Sequence, residues 1–421
     1  MATSASQSQP DLGKPQFASH SWLEPIVSLP PPGWRLPIDR LVNHRLARRP
    51  QIVVSIMIGS LIMNRRRNYS VLRSRKASRL NDPYSDDEGY AENSPYAKTQ
   101  TVCGITINTP DSSRWAHHIH SRLLQKFPFL VEMFYWAVNY LFYSVTKATS
   151  QWLSPAQIGV VQVAQNHGVS ILEFEHKSFF SFFFSIEEAD FQHYFVEYHP
   201  GFMTFFNRIY SLVHIPGTVL FLSWYYYAAE DHHTFAIARR TMTLGNFAAF
   251  IIFCVYPCMP PRLLPESYRF FDTVRQEHAE SVWVGGKSIN QFAAMPSLHF
   301  TYAFVIGCTF LYHSGVLQRF YGRPTRRAPL KQIMYITLAI VYPLLVLSVI
   351  VATANHYWLD AVVAIFTVSL CFLGNRVLCL LLPVEYWICW ALRLAKPIPT
   401  TGDRSLAKYY GRRDDIQYNP V

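Results

Sequence analysis

Residues 354–373 read ANHYWLDAVVAIFTVSLCFL, in which a short polar motif opens an apolar run. A helix that runs from near His356 to Leu382 is long enough to cross the roughly 30 Å hydrocarbon core of a bilayer. His356 and Asp360 stand four positions apart, so a helix places both side chains on one face, where the carboxylate can hold one imidazole N–H. The other ring nitrogen is then available as a nucleophile.

Apolar runs of the same kind recur along the chain, which is 50% hydrophobic over 421 residues. Their length and composition are typical of membrane-spanning helices. Together with the run at 354–373 they predict an all-α fold, a six-transmembrane-helix bundle that forms one domain over residues 127–382. The five other runs cover residues 129–146, 203–226, 242–256, 298–317 and 333–352.

Three stretches outside these runs are more polar. Residues 1–126 are rich in Ser, Pro, Arg and acidic clusters, which predicts a largely disordered basic N-terminal tail. Within it, the apolar segment 52–63 is too short to span a bilayer and predicts an interfacial or re-entrant helix, with a targeting segment as the alternative. Residues 171–198 alternate Phe with acids and predict interfacial amphipathic helices or, less favoured, a buried re-entrant element. Residues 383–421 are expected to form a cytoplasmic C-terminal tail.

The net charge of +11 comes from short basic clusters beside the apolar runs. Bases concentrated in short loops face the cytoplasm, so the loop between runs four and five is predicted to be cytoplasmic and the opposite face lumenal or extracellular. The Asn68-Tyr69-Ser70 sequon then lies in the cytosol, and its glycosylation would contradict this topology. The basic residues of that loop are Arg319, Arg323, Arg326, Arg327 and Lys331.

The composition does not favour nucleic-acid binding, a disulfide framework or a zinc site. The basic clusters are not interleaved with stacking aromatics along a stripe, so nucleic acid is not expected as a partner. Several of the 7 cysteines lie inside apolar runs, where Cys behaves as a small hydrophobe, so neither a disulfide framework nor a zinc site is predicted. Membrane lipids are the expected partners, and the sequence makes no prediction of oligomeric state.

Two further polar motifs interrupt the apolar sequence, Pro260-Pro261-Arg262 and Met295-Pro296-Ser297-Leu298-His299. The six-span topology brings both motifs to the non-cytoplasmic face, at the depth of His356 and Asp360. A helix start at Pro296 and Ser297 directs backbone N–H groups and a hydroxyl at an anion, and Arg262 adds a forked positive charge. His299, placed beside this phosphate cradle, can protonate a leaving oxygen as a general acid.

Other interpretations of these residues stay open. A single His at a helix start is more often a hydrogen-bonded interfacial residue than a catalyst, and only the convergence of motifs favours catalysis for His299 and His356. Two histidines and a carboxylate fall short of a closed metal-ligand set, so no metal and no cofactor is predicted. Asp272-Thr273 either shapes the mouth of the site or forms a plain solvated turn.

Taken together and in this order, the three motifs resemble the type-2 phosphatidic acid phosphatase superfamily. Within it they are most similar to the branch of inositol phosphorylceramide synthase and inositolphosphotransferase-like membrane proteins. The resemblance implies that His356 forms a phosphohistidine, that Asp360 orients it and that His299 protonates the leaving group. It also implies that Arg262 and Ser297 bind the phosphoryl oxygens, with Pro296 and Leu298 as neighbouring substrate-binding positions.

The chain departs from the superfamily pattern at three positions. Residues 248–261 contain no Lys before Arg262, and Ile350 stands where an Arg usually precedes the motif histidine by six residues. Leu298 replaces the usual Gly, as it does in the synthase branch. Loss of such a donor costs on the order of 10²–10³ in rate if nothing replaces it, so a substitute cation is expected. The candidates are Lys287, Arg269 and Arg275.

The expected function is therefore that of an integral membrane enzyme, a lipid phosphatase or phosphotransferase. The acceptor is water or a lipid alcohol, and inositol-phosphate transfer to a sphingolipid-type acceptor is the finer expectation. A multi-pass endomembrane protein of the Golgi or endoplasmic reticulum, with its active site on the lumenal face, is the expected setting. The rival from another class is a non-catalytic transporter or scaffold that retains the fold, which the missing Lys and Arg favour.

Overall fold

The computed structural model describes residues 49–67, 69–72, 99–102, 104–153, 157–177, 179–276, 292–320 and 328–402. The predicted all-α class is confirmed there, because the described residues are mostly helical and their strands form one short antiparallel hairpin. A π-helix, Ile209–Val213, joins the helices Pro200–Arg208 and His214–Ala228. The elements are α1 Arg49–Met63, β1 Thr99–Val102, β2 Ile105–Asn108, α2 Ile119–Lys126, α3 Leu130–Leu153, α4 Gln157–Lys177, α5 Glu188–Tyr198, α6 Pro200–Arg208, α7 His214–Ala228, α8 His232–Val255, α9 Thr273–Gln276, α10 Leu298–Ser314, α11 Val316–Phe320, α12 Pro329–Ala352, α13 Trp358–Leu373 and α14 Leu382–Ala391.

Among the described helices, α12 is long and apolar enough to cross a membrane. Helix α13 and the following segment Asn375–Ala391 form a second candidate that bends by 54°. Each of the other predicted runs also coincides with helix, but these helices are interrupted or polar. Helix α8 contains Arg239 and Arg240, and α10 ends at Gly315, whose φ of 80° is left-handed. The six-span topology therefore stays a prediction.

Helix α10 lies at the centre of the bundle and packs against α8, α12 and α13. Its approach to α12 is close because Gly307 has no side chain: a Cβ there would lie 2.7 Å from Cγ of Pro343 and 2.9 Å from the carbonyl oxygen of Ala339. Small residues permit this kind of backbone approach between membrane helices. The glycine thus sets the distance between the helix that carries His299 and its main neighbour.

The segment 52–63 belongs to α1, which packs along α7. The Ser60 and Ser223 hydroxyls are 2.6 Å apart, and the Asn64 amide donates to the Ser223 carbonyl at 3.2 Å. Polar groups on both helices satisfy each other in this packing, and the interfacial or re-entrant placement of 52–63 stays a prediction. The rest of the predicted tail at 1–48 and 73–98, and Asn68 of the sequon, lie outside the described residues.

The described part of the C-terminal segment, residues 383–402, contacts the rest of the chain, and its cytoplasmic placement stays a prediction. Pro383, expected to end the last span, lies in the first turn of α14, where its missing N–H costs nothing. Beyond α14 the backbone is tied to the N-terminal part of the chain: the Ala395 N–H donates to the Ser121 hydroxyl at 3.0 Å, and the Gln125 amide donates to the Lys396 carbonyl at 3.0 Å. Residues 403–421 lie outside the described part.

Helices α4 and α5 occupy the region predicted to be amphipathic. On the connecting segment, Phe179 is 92% and Phe182 82% exposed, which suits an apolar environment outside the bundle. On the inner side, Gly168 lets α4 approach the body of the bundle: a Cβ there would lie 2.6 Å from the Tyr357 hydroxyl. The acids of this region do not all face outward, since Glu175 and Glu188 are buried against the start of α13.

Candidate active site

The three motifs meet at one end of the bundle through backbone hydrogen bonds. The first motif pairs with the second, because the Cys258 N–H donates to the Phe292 carbonyl at 2.8 Å and Ala294 donates back to Cys258 at 3.2 Å. The first also pairs with the third, because the Arg262 N–H donates to the Ala354 carbonyl at 2.9 Å. Residues far apart in sequence are thus held in fixed register.

His356 is buried and its ring orientation is set by two acceptors. Nδ1 lies 2.7 Å from the Ala294 carbonyl oxygen and 3.1 Å from Oδ2 of Asp360. The carbonyl can only accept, so Nδ1 carries the proton and Nε2 of the neutral ring keeps its lone pair. Asp360 is fixed in turn, because its Oδ2 accepts the Tyr357 N–H at 3.0 Å. This arrangement leaves Nε2 available for nucleophilic attack.

His299 lies beside His356, with ring centroids 5.6 Å apart. Its other face stacks on Tyr210 at 4.5 Å. Tyr210 lies in the π-helix Ile209–Val213, a local widening that often occurs at functional sites. The sequence gives no direct sign of Tyr210, because a π-helix has no clear residue signature.

Arg262 is held at the same end of the bundle by two side chains. Its Nε donates to Oδ1 of Asn355 at 2.9 Å, and Nη1 donates to Oδ2 of the fully buried Asp272 at 2.9 Å. Asp272 is therefore the partner of Arg262. Its burial argues against the alternative of a plain solvated turn. The guanidinium carries five N–H donors, so donors other than those on these two bonds can meet an anion.

Several predicted site residues make other contacts in the structure. The Ser297 hydroxyl is fully buried and accepts the Phe300 N–H at 3.2 Å, so it caps α10. Arg269 is exposed and pairs with Asp190 at 3.4 Å. Ile350 is buried among apolar side chains. Pro296 is buried, and Leu298 lines the cavity described below. Lys287 and the side chain of Arg275 lie outside the described residues.

A second polar cluster supports the start of α13 from outside. Glu175 accepts the Leu359 N–H and Glu188 accepts the Trp358 N–H at 3.3 Å, so two buried carboxyls cap the helix that follows His356. His176 Nε2 lies 2.8 Å from Glu188 Oε2. The sequence placed these acids in an interfacial stretch and did not predict their burial.

The contacts of the cluster shift the pKa values of its two carboxyls in opposite directions. Burial, followed by a hydrogen bond with Glu188, raises the pKa of Glu175. Burial acts to raise the pKa of Glu188 as well, but hydrogen bonds from His176 and Glu175 outweigh it and lower that pKa. The hydrogen bond to Glu188 raises the pKa of His176. In the described part of the chain, these three residues also present donor atoms within 4.8 Å of one another, close enough to hold a cation.

A cavity of about 490 Å³ extends from the histidines into the bundle. At one end it is lined by Arg262, His299 and His356, and at the other by Arg239. Its walls come from α3, α7, α8 and α10 and are mainly apolar and aromatic, as is typical of ligand sites with a few convergent polar groups. The residues along these walls include Trp136, Tyr143, Val219, Leu222, Met242, Phe250 and Phe253.

A buried histidine with a free ring nitrogen, a second histidine and an anchored arginine thus lie together at the mouth of the cavity. Residues 170–374, just under half of the chain, match the family model described as the PAP2 superfamily. This match supports the superfamily, whose members are phosphatases or phosphotransferases, and it contains all three motifs. It does not distinguish the synthase branch. No curated protein and no solved structure matches the chain.

Proposed function

We propose that the chain is an integral membrane enzyme that transfers a phosphoryl group from a lipid phosphoester through His356. Nε2 of His356 attacks phosphorus in line, and the bond from phosphorus to the leaving oxygen breaks while protonated His299 gives that oxygen its proton. Water or an acceptor hydroxyl then attacks the phosphohistidine, His299 takes back a proton, and the N–P bond breaks. Arg262 neutralises charge on the phosphoryl oxygens throughout.

The observation that carries this proposal is the fixed tautomer of His356. Two acceptors on Nδ1, Asp360 and the Ala294 carbonyl, leave Nε2 as the basic nitrogen beside His299. A buried histidine with a purely structural role needs no free nitrogen facing a second histidine. Asp360 also favours the cationic ring that exists while nitrogen is bonded to phosphorus.

The membrane setting is supported by the outer surface of the bundle. On α12, Leu330, Ile333 and Leu344 are all more than half exposed. Contiguous apolar surface of this kind is rare on soluble monomers, and a bilayer covers it. We extend the proposal to a multi-pass protein whose site faces the lumen of an endomembrane compartment, with inositol-phosphate transfer to a sphingolipid-type acceptor as the finer form.

The proposal predicts a covalent intermediate that depends on one residue. The purified full chain, incubated with phosphatidic acid or with phosphatidylinositol plus a lipid alcohol, should consume the donor, and His356→Ala should reduce turnover roughly 10⁴-fold or more. Rapid quenching followed by mass spectrometry should find a phosphoryl group on His356 in the unmodified chain. A long-chain phosphate should serve as a third donor.

The matched control is His233→Ala, which removes an exposed histidine at the opposite end of α8 and should keep normal turnover. Turnover by His356→Ala at the rate of the His233→Ala control would refute the mechanism. Binding of lipid by the folded chain with no turnover of any of the three donors would favour the transporter or scaffold instead.

A further inference from the structure

Tyr210 lies at the histidine end of the cavity and has no role in the chemistry proposed above. It lines the cavity together with Arg262, His299 and His356. Its ring lies against that of His299, with the centroids 4.5 Å apart and the planes 24° apart. Its hydroxyl is close enough to Arg262 and Asp272 to interact with both charges. The side chain therefore borders the space that a phosphoryl group on His356 would occupy.

The ring of Tyr210 is held from several sides. Besides the stack on His299, it packs against two apolar clusters, one that contains Val349 and Ala352 and another that contains Ile350. A donor on a ring held in this way is already in place when charge develops beside it. Such preorganised donors stabilise a transition state without a reorganisation cost at the moment of reaction.

The hydroxyl of Tyr210 is available to a ligand. Over the part of the chain that the structure describes, it forms no hydrogen bond. Two other hydroxyls near the histidines are occupied, since Ser297 accepts the Phe300 N–H and Tyr302 donates to Oδ1 of Asn246 at 2.6 Å. A phenol in a mainly apolar cavity gains free energy when it finds a partner. Tyr210 thus offers an O–H donor beside the reacting centre.

A phosphoryl group needs more donors than Arg262 can provide. In the transition state of phosphoryl transfer, negative charge spreads over three equatorial oxygens, and the fork of one guanidinium contacts two of them at most. Ile350, which stands where the superfamily pattern has an arginine, is buried in an apolar cluster against which Tyr210 packs. A neutral O–H at this place supplies a donor without the cost of a second buried charge.

Building on the proposed function, we infer that Tyr210 is a further catalytic residue, whose O–H donates a hydrogen bond to a phosphoryl oxygen as the bond between His356 and phosphorus forms. No proton is transferred in this contact, so the roles of His356 and His299 are unchanged. The hydrogen bond strengthens as negative charge accumulates on the oxygen, so it contributes more in the transition state than in the bound substrate. A hydrogen bond to a charged acceptor corresponds to roughly 10–100-fold in rate.

Tyr210→Phe is the decisive variant, because it removes the O–H and keeps the ring that stacks on His299. With the full chain in nanodiscs and phosphatidic acid as donor, kcat should fall roughly 10–100-fold. KM should change less than about 3-fold, because the apolar walls that hold the rest of the lipid are intact. Orthovanadate takes the five-coordinate geometry of a phosphoryl group in transfer. It should inhibit Tyr210→Phe more weakly, by a factor close to the loss of kcat/KM.

The comparison variant is Tyr198→Phe, the same substitution at a tyrosine that is 70% exposed and is not among the cavity-lining residues. It should keep normal kcat and normal inhibition by orthovanadate. Tyr210→Leu removes the ring as well as the hydroxyl. Normal kcat in Tyr210→Phe together with a loss in Tyr210→Leu would overturn the inference, because the ring alone would then account for the effect.

Rapid-quench measurement of phosphohistidine separates this inference from the proposed function. In Tyr210→Phe the phosphoryl group should still appear on His356, at a rate reduced by about the same factor as kcat. Formation at the normal rate would overturn the role of Tyr210 and leave the mechanism through His356 in place. Absence of phosphohistidine from the unmodified chain would refute the proposed function itself.

Discussion

The two ends of the cavity each hold an arginine with less than a fifth of its side chain exposed, but the surroundings differ. Arg262 bonds Asn355 through Nε and Asp272 through Nη1, next to two histidines. Arg239 donates to both oxygens of Glu132 at 3.0 and 3.1 Å from Nη1 and lies over the Tyr135 ring at 4.4 Å. Each arginine pairs with a buried carboxylate, but Arg262 lies beside the two histidines, while Arg239 lies over a tyrosine ring.

The difference shows why a buried charge is not by itself a sign of catalysis. A buried ion pair contributes little net stability, yet loss of one partner leaves an uncompensated charge and costs about 3–5 kcal/mol. The Arg239–Glu132 pair fits that structural role because the two histidines that line the cavity, His299 and His356, lie at the other end. In the proposed function, the Arg262–Asp272 pair fixes donors that an incoming phosphoryl group can use.

The same substitution at both ends should separate these roles and gives the largest expected effect. Arg262→Met should lower kcat/KM by roughly 10²–10³, because it removes a preorganised donor for transition-state charge. Arg239→Met should lower kcat/KM per folded molecule by less than about 10-fold, while it destabilises the chain by about 3–5 kcal/mol through the orphaned Glu132. Steady-state kinetics and thermal unfolding in the same detergent check both. Equal kinetic losses would erase the distinction between the two ends.

A subtler change at the catalytic end tests whether Asp272 acts by orienting the arginine. Asp272→Asn keeps a hydrogen-bond acceptor but removes the charge that fixes the guanidinium. We expect kcat to fall roughly 10–100-fold, since small misplacements of a positioning group carry losses of that order. KM should change less, because the cavity that binds the lipid chain is intact. If Asp272→Asn instead raised KM alone, the carboxylate would have to act on substrate binding.

The sequence could predict the convergence at the catalytic end because it depends on strong local signals. His356 and Asp360 share a helix face by spacing alone, and three polar motifs between apolar runs indicate where helix ends meet. The match to residues 170–374 supports the superfamily that these motifs suggested. The helical class followed from the same apolar runs and is confirmed.

The contacts that hold the site could not be predicted, because they depend on packing between elements distant in sequence. Nothing in the pattern distinguishes Asp272, which grips Arg262, from a solvated turn residue, or Ser297, which caps α10, from an anion ligand. Glu175 and Glu188 stand among phenylalanines and look like one face of an interfacial helix. Only the fold shows that both carboxyls point at the N-terminus of α13.

The smallest expected effect concerns this outer support of the catalytic end, which can be tested with a matched pair. Glu175→Gln replaces an acid whose pKa is raised with a neutral amide of the same size, so kcat should fall less than about 3-fold. Glu188→Gln replaces one of the two carboxylate oxygens, which contact His176 and the Trp358 N–H, with an amide NH2, and the helix terminus loses an anion. We expect it to lower kcat roughly 10-fold with little change in KM, as for a positioning residue that acts through His356.

The sign of the pH dependence sharpens the same test. A carboxyl whose pKa is raised on folding stabilises the chain fully below its unfolded pKa, near 4.3, and this contribution is lost as pH rises towards the folded pKa. The unmodified chain should therefore lose thermal stability between pH 5 and 9 more steeply than Glu175→Gln, in which no proton can leave. Equal slopes in thermal scans, with a chelator present to remove any cation, would mean that Glu175 is ionised in the folded chain. The two carboxylates would then need a metal ion rather than a proton between them. The end of the cavity at His356 would depend on that ion, whereas the end at Arg239 would not.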